Sequence, residues 1–510
     1  MIVMKGSVEQ SVGETTVTMK AYEYEPMTPV SGRRGRRDLV YLEAGTLTGS
    51  RAGEEGAELM EISAPGAMRQ KGTGTSNFMA VPSLMPNRVY DYYDIQFSEM
   101  FPGGFSRIIN GKSFQLSFLR MAADASFQNS THPEEQLTVV LRGSRTETVE
   151  GKTFGMDAGK CIYIPSNAIH GAEIGPTGCD VLDVFHPVRT DYTERMNASL
   201  DAYHAIIPKD EKIELVADGL KEGPGLLYIE GPSWVDGKLY FSTMHYDAHW
   251  NGDPSKSAFV EMDPDGTYRY KSYGEMETNG TFPLANGNLA VCDTFGHRVV
   301  EMDTEGRVVR VLADSCEGLR LDGPNDLAVD MKGGIYFTDP QILPEPYFQP
   351  GRSVLYRRPD GKVIRVVPVG ELIKPNGLIM SPDCRTLYVN STPENFMMAY
   401  DINDDGTLSN GRKFGSIMVT PEMLDKQSIN PQVDGMTVDE RGNVYITSIY
   451  GLQIFAPDGT YIGMVHFPQM PVNCCFGDRD GKTLYVTCNA RVYRIRTNVK
   501  GAEYTLSKKR

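Results

Sequence analysis

The sequence predicts an all-β protein in two parts, a β-barrel followed by a six-bladed β-propeller. In the second half, short strands rich in aromatic and β-branched residues recur six times, about 40 to 57 residues apart, which is the length of one four-stranded blade. Turn sequences separate the copies, and closing the ring would remove exposed sheet edges. The copies are Gly237-Lys-Leu-Tyr-Phe-Ser, Gly287-Asn-Leu-Ala-Val-Cys, Gly334-Ile-Tyr-Phe-Thr-Asp, Arg385-Thr-Leu-Tyr-Val-Asn, Gly442-Asn-Val-Tyr-Ile-Thr and Lys482-Thr-Leu-Tyr-Val-Thr.

The first half has short alternating strands and almost no helical periodicity. The exception lies just before the propeller, where Met196, Leu200 and Tyr203 recur near helical spacing and predict a linking helix over 191–205. The N-terminal region either completes the barrel or forms a degenerate second one. The expected domains are a β-rich region at 1–100, a barrel at 101–190, a helical linker at 191–210 and a propeller at 211–500.

The composition of the chain argues against several classes of function. The chain of 510 residues has a formal net charge of −15 and a sequence pI of about 5.1, so we expect no binding to nucleic acid or to an anionic membrane. There is no 18-residue apolar run and no apolar segment at the start. Eight scattered cysteines without CxxC spacing fit free thiols in a reducing cytoplasm.

Four polar residues stand at matched places in different blades, each beside Gly or Pro just before an apolar run: Glu230, Asn325, Asn376 and Asp434. Loops before the inner strands converge on a propeller's central channel, so these side chains could meet there. Two carboxylates and two amide oxygens would balance one divalent ion, with calcium, magnesium or manganese favoured and zinc or Fe(II) also compatible. The alternative is that each Asn-Gly or Asp-Gly is an ordinary hairpin turn.

The same motifs resemble the gluconolactonase/regucalcin (senescence marker protein) family over roughly 210–500. They are Glu230-Gly-Pro, Leu321-Asp-Gly-Pro-Asn-Asp, Lys374-Pro-Asn-Gly-Leu, Val433-Asp-Gly-Met and Val472-Asn-Cys-Cys-Phe-Gly. The resemblance implies that Glu230, Asn376 and Asp434 bind the metal. It implies that Asn325 is a fourth ligand or holds substrate or water, and that Asp434 also acts as the catalytic base.

The resemblance implies lactone hydrolysis, with the metal as a Lewis acid on the carbonyl. His245 and His249 follow the first blade's strand and are candidates for a base or a substrate contact, or else are exposed loop histidines. Some family members have an arginine two residues before the blade-three amide. Gly323 stands there in this sequence, which puts recognition of an acidic sugar in doubt, and the Pro-rich loop after Asp339 is expected to rim the pocket.

Residues 112–190 resemble a small cupin, a β-barrel that binds metal through histidines. Ser130-Thr-His-Pro-Glu-Glu-Gln matches the first cupin motif, and Gly159-Lys-Cys-Ile-Tyr-Ile-Pro-Ser-Asn-Ala-Ile-His matches the second. By this resemblance His132, Gln136 and His170 occupy ligand positions, and Ser130 replaces the first histidine. Glu134 or Glu135 could substitute for it. The alternative is a degenerate barrel kept for dimerisation or substrate delivery.

The leading hypothesis is therefore a metal-dependent hydrolase of a sugar-derived or other small hydroxyacid lactone, with a small molecule as its substrate. A second divalent metal in the cupin and a homodimer through that domain are further expectations. One alternative is a bifunctional lyase/isomerase or a strictosidine-synthase-like enzyme that uses both domains. The other is a non-catalytic propeller that binds a metal or a ligand.

Overall fold

The structure is a computed structural model. It describes the strand backbones at 2–12, 15–22, 36–40, 48–60 and 89–91, and then residues 95–123, 125–219, 226–245, 252–274, 276–418 and 431–505. The chain divides into two compact units, and the boundary after the barrel falls between Ala202 and Tyr203. The predicted all-β class is confirmed, since the described residues contain one α-helix and many strands.

The N-terminal region has a sheet of its own, with strand order β4-β1-β2-β3-β5. The β1–β2 hairpin is antiparallel and pairs Gly6 with Ala21 through Val12 with Thr15. In the described part of the chain this sheet shares no ladder with the barrel sheet. Its strands are β1 (Ile2–Val12), β2 (Thr15–Tyr22), β3 (Arg36–Val40), β4 (Thr48–Met60) and β5 (Val89–Asp91).

The barrel is an eight-stranded antiparallel sheet with order β11-β10-β13-β8-β7-β6, in which β12 also pairs with β10 and β9 with β13. Burial alternates along the first part of β10, as the pleat requires for a strand with one face inside. Leu119, Met121, Val140 and Val181 belong to its apolar core. The strands are β6 (Ser98–Phe101), β7 (Gly104–Asn110), β8 (Gln115–Met121), β9 (Ser126–Ser130), β10 (Glu135–Val149), β11 (Lys152–Asp157), β12 (Cys161–Ile164) and β13 (His170–His186).

The helix predicted at 191–205 is present as α1 (Thr190–His204). Its residues Tyr192, Met196 and Leu200 are buried in one cluster with Phe185 of the barrel, because residues three to four apart share a helix face. This spacing is the pattern that the sequence showed.

The propeller consists of six four-stranded antiparallel sheets, as predicted. In each blade the second strand is buried almost completely. A small hairpin, β23 (Ser315–Cys316) and β24 (Leu319–Arg320), follows blade 2, and 3-10 turns lie at Pro254–Lys256 and Glu503–Thr505.

The blade strands, from the inside outwards, are as follows. Blade 1 has β15 (Tyr228–Val235), β16 (Lys238–Met244), β17 (Ala258–Met262) and β18 (Tyr268–Tyr273); blade 2 has β19 (Thr278–Pro283), β20 (Leu289–Asp293), β21 (Arg298–Met302) and β22 (Val308–Ala313); blade 3 has β25 (Leu327–Val329), β26 (Ile335–Asp339), β27 (Ser353–Arg357) and β28 (Val363–Val367). Blade 4 has β29 (Pro375–Met380), β30 (Thr386–Ser391), β31 (Met397–Ile402) and β32 (Leu408–Phe414); blade 5 has β33 (Met436–Val438), β34 (Val444–Ser448), β35 (Gly451–Phe455) and β36 (Tyr461–Val465); blade 6 has β37 (Asn473–Gly477), β38 (Thr483–Cys488), β39 (Arg491–Arg496) and β14 (Glu214–Asp218).

The ring is closed by β14, which comes before blade 1 in the sequence and pairs with β39 of blade 6. Trp234 of blade 1 stacks on Tyr485 of blade 6, with ring centroids 5.4 Å apart, so apolar packing seals the same junction. All eight cysteines are free. Among the described residues, no helix is both long enough and apolar enough to span a membrane.

Candidate active site

The four polar residues predicted for the propeller site lie at or just before the start of the innermost strands of blades 1, 3, 4 and 5. Backbone hydrogen bonds place two of them at equivalent positions. The N–H of Asn325 donates to the carbonyl of Thr338 at 3.0 Å, and the N–H of Asp434 donates to that of Thr447 at 3.3 Å. All inner strands run in the same direction along the channel, so these side chains gather at one end of it.

Glu230 and Asp434 meet there although 204 positions separate them in sequence. Glu230 is 4 % exposed, and its Oε2 accepts hydrogen bonds from the N–H of Gly231 at 3.0 Å and from Nδ2 of Asn473 at 2.9 Å. The Asp434 carboxyl hydrogen-bonds with Glu230, and its Oδ2 accepts from the Tyr228 hydroxyl at 3.3 Å. The two carboxyls therefore form one buried acid pair.

Burial and mutual repulsion determine the pKa values of these two carboxyls. Burial raises the pKa of Glu230 well above its ordinary value, and the charge of Asp434 raises it further. Burial raises the pKa of Asp434 to about 7, against the lowering effects of the Lys374 charge and of hydrogen bonds from Tyr228 and Asn376. Two adjacent buried carboxyls are not both stable as bare anions, so the arrangement favours a shared proton or a cation.

The two asparagines of the predicted set belong to the same cluster. Asn325 donates from Nδ2 to Oδ1 of Asn376 at 2.7 Å, and Asn376 donates from Nδ2 to the Thr392 hydroxyl at 2.9 Å. Asn376 also hydrogen-bonds with Asp434. The structure thus brings Glu230, Asn376 and Asp434 together, and Asn325 joins them through its hydrogen bond to Asn376.

Two buried residues in this channel were not predicted as site residues. Asp326 and Asn473 occupy the position that holds glycine in the other blades, and their side chains hydrogen-bond to each other. Blades 3 and 6 face each other across the ring, so this pair closes the channel next to the acid pair. Burial raises the pKa of Asp326 to about 7. The available signal was Asp or Asn in place of glycine in the blade motif.

Glycine at this position makes room for the neighbouring blade. A Cβ on Gly435 would lie 1.9 Å from Cγ of Asn473, and a Cβ on Gly280 would lie 2.6 Å from Oδ1 of Asp326. Since real Cβ atoms do not approach so closely, the glycines of blades 2 and 5 are required for the two side chains to fit.

Of the two predicted histidines, only His245 lies among the described residues. His245 directly follows β16 and is 7 % exposed, which excludes the exposed-loop alternative for this residue. His249 lies outside the described residues. Their chemical roles stay predictions.

The Pro-rich loop after Asp339 is held by Asp322, whose carboxylate accepts from the N–H groups of Phe348 and Gln349.

The donor set fits a divalent cation that prefers oxygen. No group of three or more His, Cys, Asp or Glu side chains in the described part of the chain is placed to hold a metal, so an ion here would need amide oxygen as well as carboxylate. Glu230, Asp434 and Asn376 supply this mixture, which suits calcium, magnesium or manganese better than zinc.

The predicted cupin residues also come together, inside the barrel. Nε2 of His132 lies 3.1 Å from Oε1 of Gln136, its Nδ1 lies 3.3 Å from Oε2 of Glu134, and its ring meets that of His170 edge-on at 4.9 Å. In His170, the ring nitrogen Nδ1 lies 3.0 Å from the carbonyl oxygen of Ala168. Such a second partner fixes an imidazole for ligation.

Burial lowers the pKa of both imidazoles, and the charge of Arg189 lowers the pKa of His132 further. Both rings are therefore neutral near pH 7, the state that a metal ligand needs. Arg145 forms a buried ion pair with Glu147 in the same barrel, and burial raises the pKa of Glu147 to about 7. Gln136 and Asp183 are joined by a 3.0 Å hydrogen bond.

Known protein families match both the propeller and the barrel of this chain. The family model described as SMP-30/Gluconolactonase/LRE-like region matches residues 228–490, and the cupin domain model matches residues 117–185. A gluconolactonase of Zymomonas mobilis is 30 % identical over 338 residues, which cover 61 % of this chain and 86 % of that enzyme. A diisopropyl-fluorophosphatase of Loligo vulgaris is 27 % identical over 206 residues, which cover 36 % of this chain and 60 % of that enzyme.

Among solved structures, a gluconolactonase of Xanthomonas campestris is 27 % identical, covers 58 % of this chain and 92 % of its own, and superposes with a TM-score of 0.49. The first family model spans more than half of the 510 residues and includes all four predicted propeller residues. The chain therefore belongs to the SMP-30/gluconolactonase/LRE-like family and has a cupin domain before the propeller in its sequence.

Proposed function

We propose that this chain is a hydrolase that opens a small lactone at the end of the central channel where the acid pair lies. A divalent metal ion is held there by Glu230, Asp434 and the amide oxygen of Asn376. The observation that carries the proposal is the meeting of two buried carboxyls from blades 1 and 5 with an amide from blade 4. The gluconolactonase named for Zymomonas mobilis, which aligns over most of its own length, supports the reaction class.

A bound divalent ion would supply Lewis-acid polarisation of the lactone carbonyl. The residues of the chain do the rest. Asp434 accepts a proton from the attacking water, whose oxygen forms a bond to the carbonyl carbon. The ring C–O bond then breaks, and the leaving oxygen takes up a proton. The product is a hydroxy acid, which releases one proton to neutral solution.

Positioning of these groups follows from the contacts. The Tyr228 hydroxyl, 3.3 Å from Oδ2, orients the Asp434 carboxylate, and Asn473 orients Glu230 through Oε2. Asn325 acts as a positioning residue, because its amide donates to the oxygen of Asn376 that the proposal assigns to the metal. A base held in this way needs little rearrangement when the substrate binds.

The test is acid release. Purified protein is stripped of metal with a chelator, and a panel of neutral and acidic sugar lactones is offered in weak buffer with a pH indicator, before and after calcium, magnesium, manganese or zinc is added. Asp434→Asn is compared with Asp458→Asn, which changes an exposed turn aspartate of the same blade that accepts from the N–H of Thr460 at 2.9 Å.

We expect acid release that metal restores, that Asp434→Asn abolishes and that Asp458→Asn leaves intact. Tight metal binding without turnover across the panel would contradict the hydrolase and favour the binding propeller. A new product without acid release would favour the lyase or isomerase. The barrel's second metal, held by His132, Glu134, Gln136 and His170, and the homodimer stay predictions.

A further inference from the structure

Two cationic side chains at the channel end of blades 3 and 4 form no close ion pair with any described carboxylate. Lys374 directly precedes Pro375, the first residue of β29, and stands two residues before Asn376. Arg352 ends the Pro-rich loop and directly precedes β27. Within the described ranges, neither side chain has a carboxylate within 4.0 Å, whereas several lysines and arginines of the other blades have one or more such partners.

Arg352 is fixed in place but has hydrogen-bonding capacity to spare. Its Nη1 donates to the carbonyl of Ile373, the residue before Lys374, at 3.1 Å. Its Nε is buried and makes no hydrogen bond. A buried guanidinium N–H without an acceptor is costly unless a ligand supplies one.

Lys374 is held beside the acid pair by its backbone. Its N–H donates to the Ser391 hydroxyl at 3.0 Å, and its carbonyl accepts from the N–H of Thr392 at 2.9 Å. Burial lowers the pKa of Lys374, Asp434 raises it and Arg352 lowers it, so the ammonium lies within electrostatic range of both. Because Arg352 donates to the carbonyl of Ile373, the residue before Lys374, the two cations share one region of the site.

Two glutamates near these cations accept hydrogen bonds from other groups. Glu394 reaches the N–H of Ile373 at 3.5 Å, and Glu371 accepts from the Tyr400 hydroxyl at 2.7 Å. Neither of these carboxylates lies within 4.0 Å of Lys374 or Arg352 in the described ranges, so the two cations can meet an incoming anion although the chain as a whole carries −15.

We propose that Arg352 and Lys374 form an anion subsite at the rim of the channel, so that the lactone opened here carries a carboxylate, phosphate or sulfonate group. The inference rests on the proposed function. The planar fork of arginine and the point charge of lysine together suit such a group. Gly323 leaves blade 3 without a cation at the place where the family resemblance would put one, and these two residues supply positive charge from the neighbouring loop and strand.

The experiment measures kcat/KM for gluconolactone and for the same lactone with a carboxylate, phosphate or sulfonate on its far carbon. The ratio of the acidic to the neutral substrate is the readout, because general damage to the site lowers both values. The variants are Arg352→Gln and Lys374→Gln, the charge-preserving Arg352→Lys and Lys374→Arg, and Lys332→Gln as a control. Lys332 lies on the turn at the far end of β25 and donates to the carbonyl of Asp404 at 2.9 Å.

We expect the wild type to prefer one acidic lactone and each glutamine variant to lower the ratio by about 10- to 100-fold, the range of a charge-assisted hydrogen bond. The charge-preserving variants should retain most of the preference, added salt should reduce it, and Lys332→Gln should leave it unchanged. The acidic substrate that is preferred identifies the group. Hydrolysis of gluconolactone with no acidic preference, or an equal fall for both substrates, overturns the subsite and leaves the lactonase standing. No hydrolysis of any lactone overturns both.

Discussion

Glu277 makes the stability of the propeller depend on pH in a way that one substitution should remove. It stands directly before β19, is 1 % exposed, and meets the Ser257 hydroxyl at 3.4 Å. Burial raises the pKa of Glu277 from 4.5 to about 8, and the charges of Asp293 and Asp253 raise it further. Those two aspartates are paired with Arg298 at 2.8 Å and Lys256 at 2.9 Å, and no ion pair to Glu277 occurs among the described residues.

The sign follows from proton linkage. The native propeller keeps a proton on Glu277 that the unfolded chain releases above pH 4.5, so stability falls as pH rises between 4.5 and about 8 and is level beyond it. Each pH unit in this window costs about 1.4 kcal/mol. Glu277→Gln has nearly the same shape and does not titrate. Its stability relative to wild type should therefore rise by roughly 3–4 kcal/mol between pH 5 and pH 8.

The assay is urea unfolding at pH 5, 6, 7, 8 and 9, followed by tryptophan fluorescence. Both tryptophans, Trp234 and Trp250, lie in the propeller half of the chain, so the signal reports on that unit. Glu305→Gln is the control, because Glu305 lies on an exposed turn of the same blade and its side chain is 57 % exposed. A difference between Glu277→Gln and wild type that does not change from pH 5 to pH 9 would refute the reasoning.

Three further predictions concern packing and metal content. Gly435→Ala should destabilise the propeller by about 1–3 kcal/mol in urea unfolding and weaken metal binding in calorimetry, because the added Cβ would lie 1.9 Å from Cγ of Asn473. Trp234→Ala should cost about 3–5 kcal/mol in thermal unfolding followed by circular dichroism, because it removes the ring stacked on Tyr485 where the blades close. His170→Gln should lower the metal content, measured by mass spectrometry, from two ions per chain to one.

Each of these has a matched control. Gly155→Ala should be neutral, because nothing lies within 4 Å of an added Cβ there, and a similar loss would mean that the close approach at Gly435 is not the cause. Phe154→Ala removes an aromatic ring that is 42 % exposed and should change thermal stability little. His204→Gln should leave metal content unchanged, since that ring bonds to the carbonyl of Ile207 outside the barrel. One ion per chain in both wild type and His170→Gln would contradict a metal in the barrel.

The six repeats could be recognised in the sequence because each one lies on the same strand of its blade. All six predicted copies fall on the second strand of a blade, for example Gly442-Asn-Val-Tyr-Ile-Thr on β34 and Lys482-Thr-Leu-Tyr-Val-Thr on β38. These strands are buried on both faces by their neighbours, which demands an unbroken apolar run. The outer strands are half exposed, as in β22 and β32, and give weaker patterns.

The closing strand shows what periodicity cannot reveal. Glu214–Asp218 pairs with Arg491–Arg494, about 280 positions away, and completes the last blade from the N-terminal side. Nothing local in these five residues marks them as the outer strand of blade 6, because the partner that orders them lies at the other end of the propeller sequence. The sequence therefore predicted the number of blades without predicting how the ring closes.

The acid pair was predicted and the side chains that close the channel were not, for one physical reason. Glu230 and Asp434 stand before glycine in short motifs that can be compared along the chain. Asp326 and Asn473 replace that glycine, and only the ring geometry shows that they face each other across the channel and hydrogen-bond there. Because Asn473 also holds Oε2 of Glu230, the side chains that fill the channel orient the proposed metal ligand. The glycines are part of this arrangement, since a side chain on Gly435 would displace Asn473 and with it the support of Glu230.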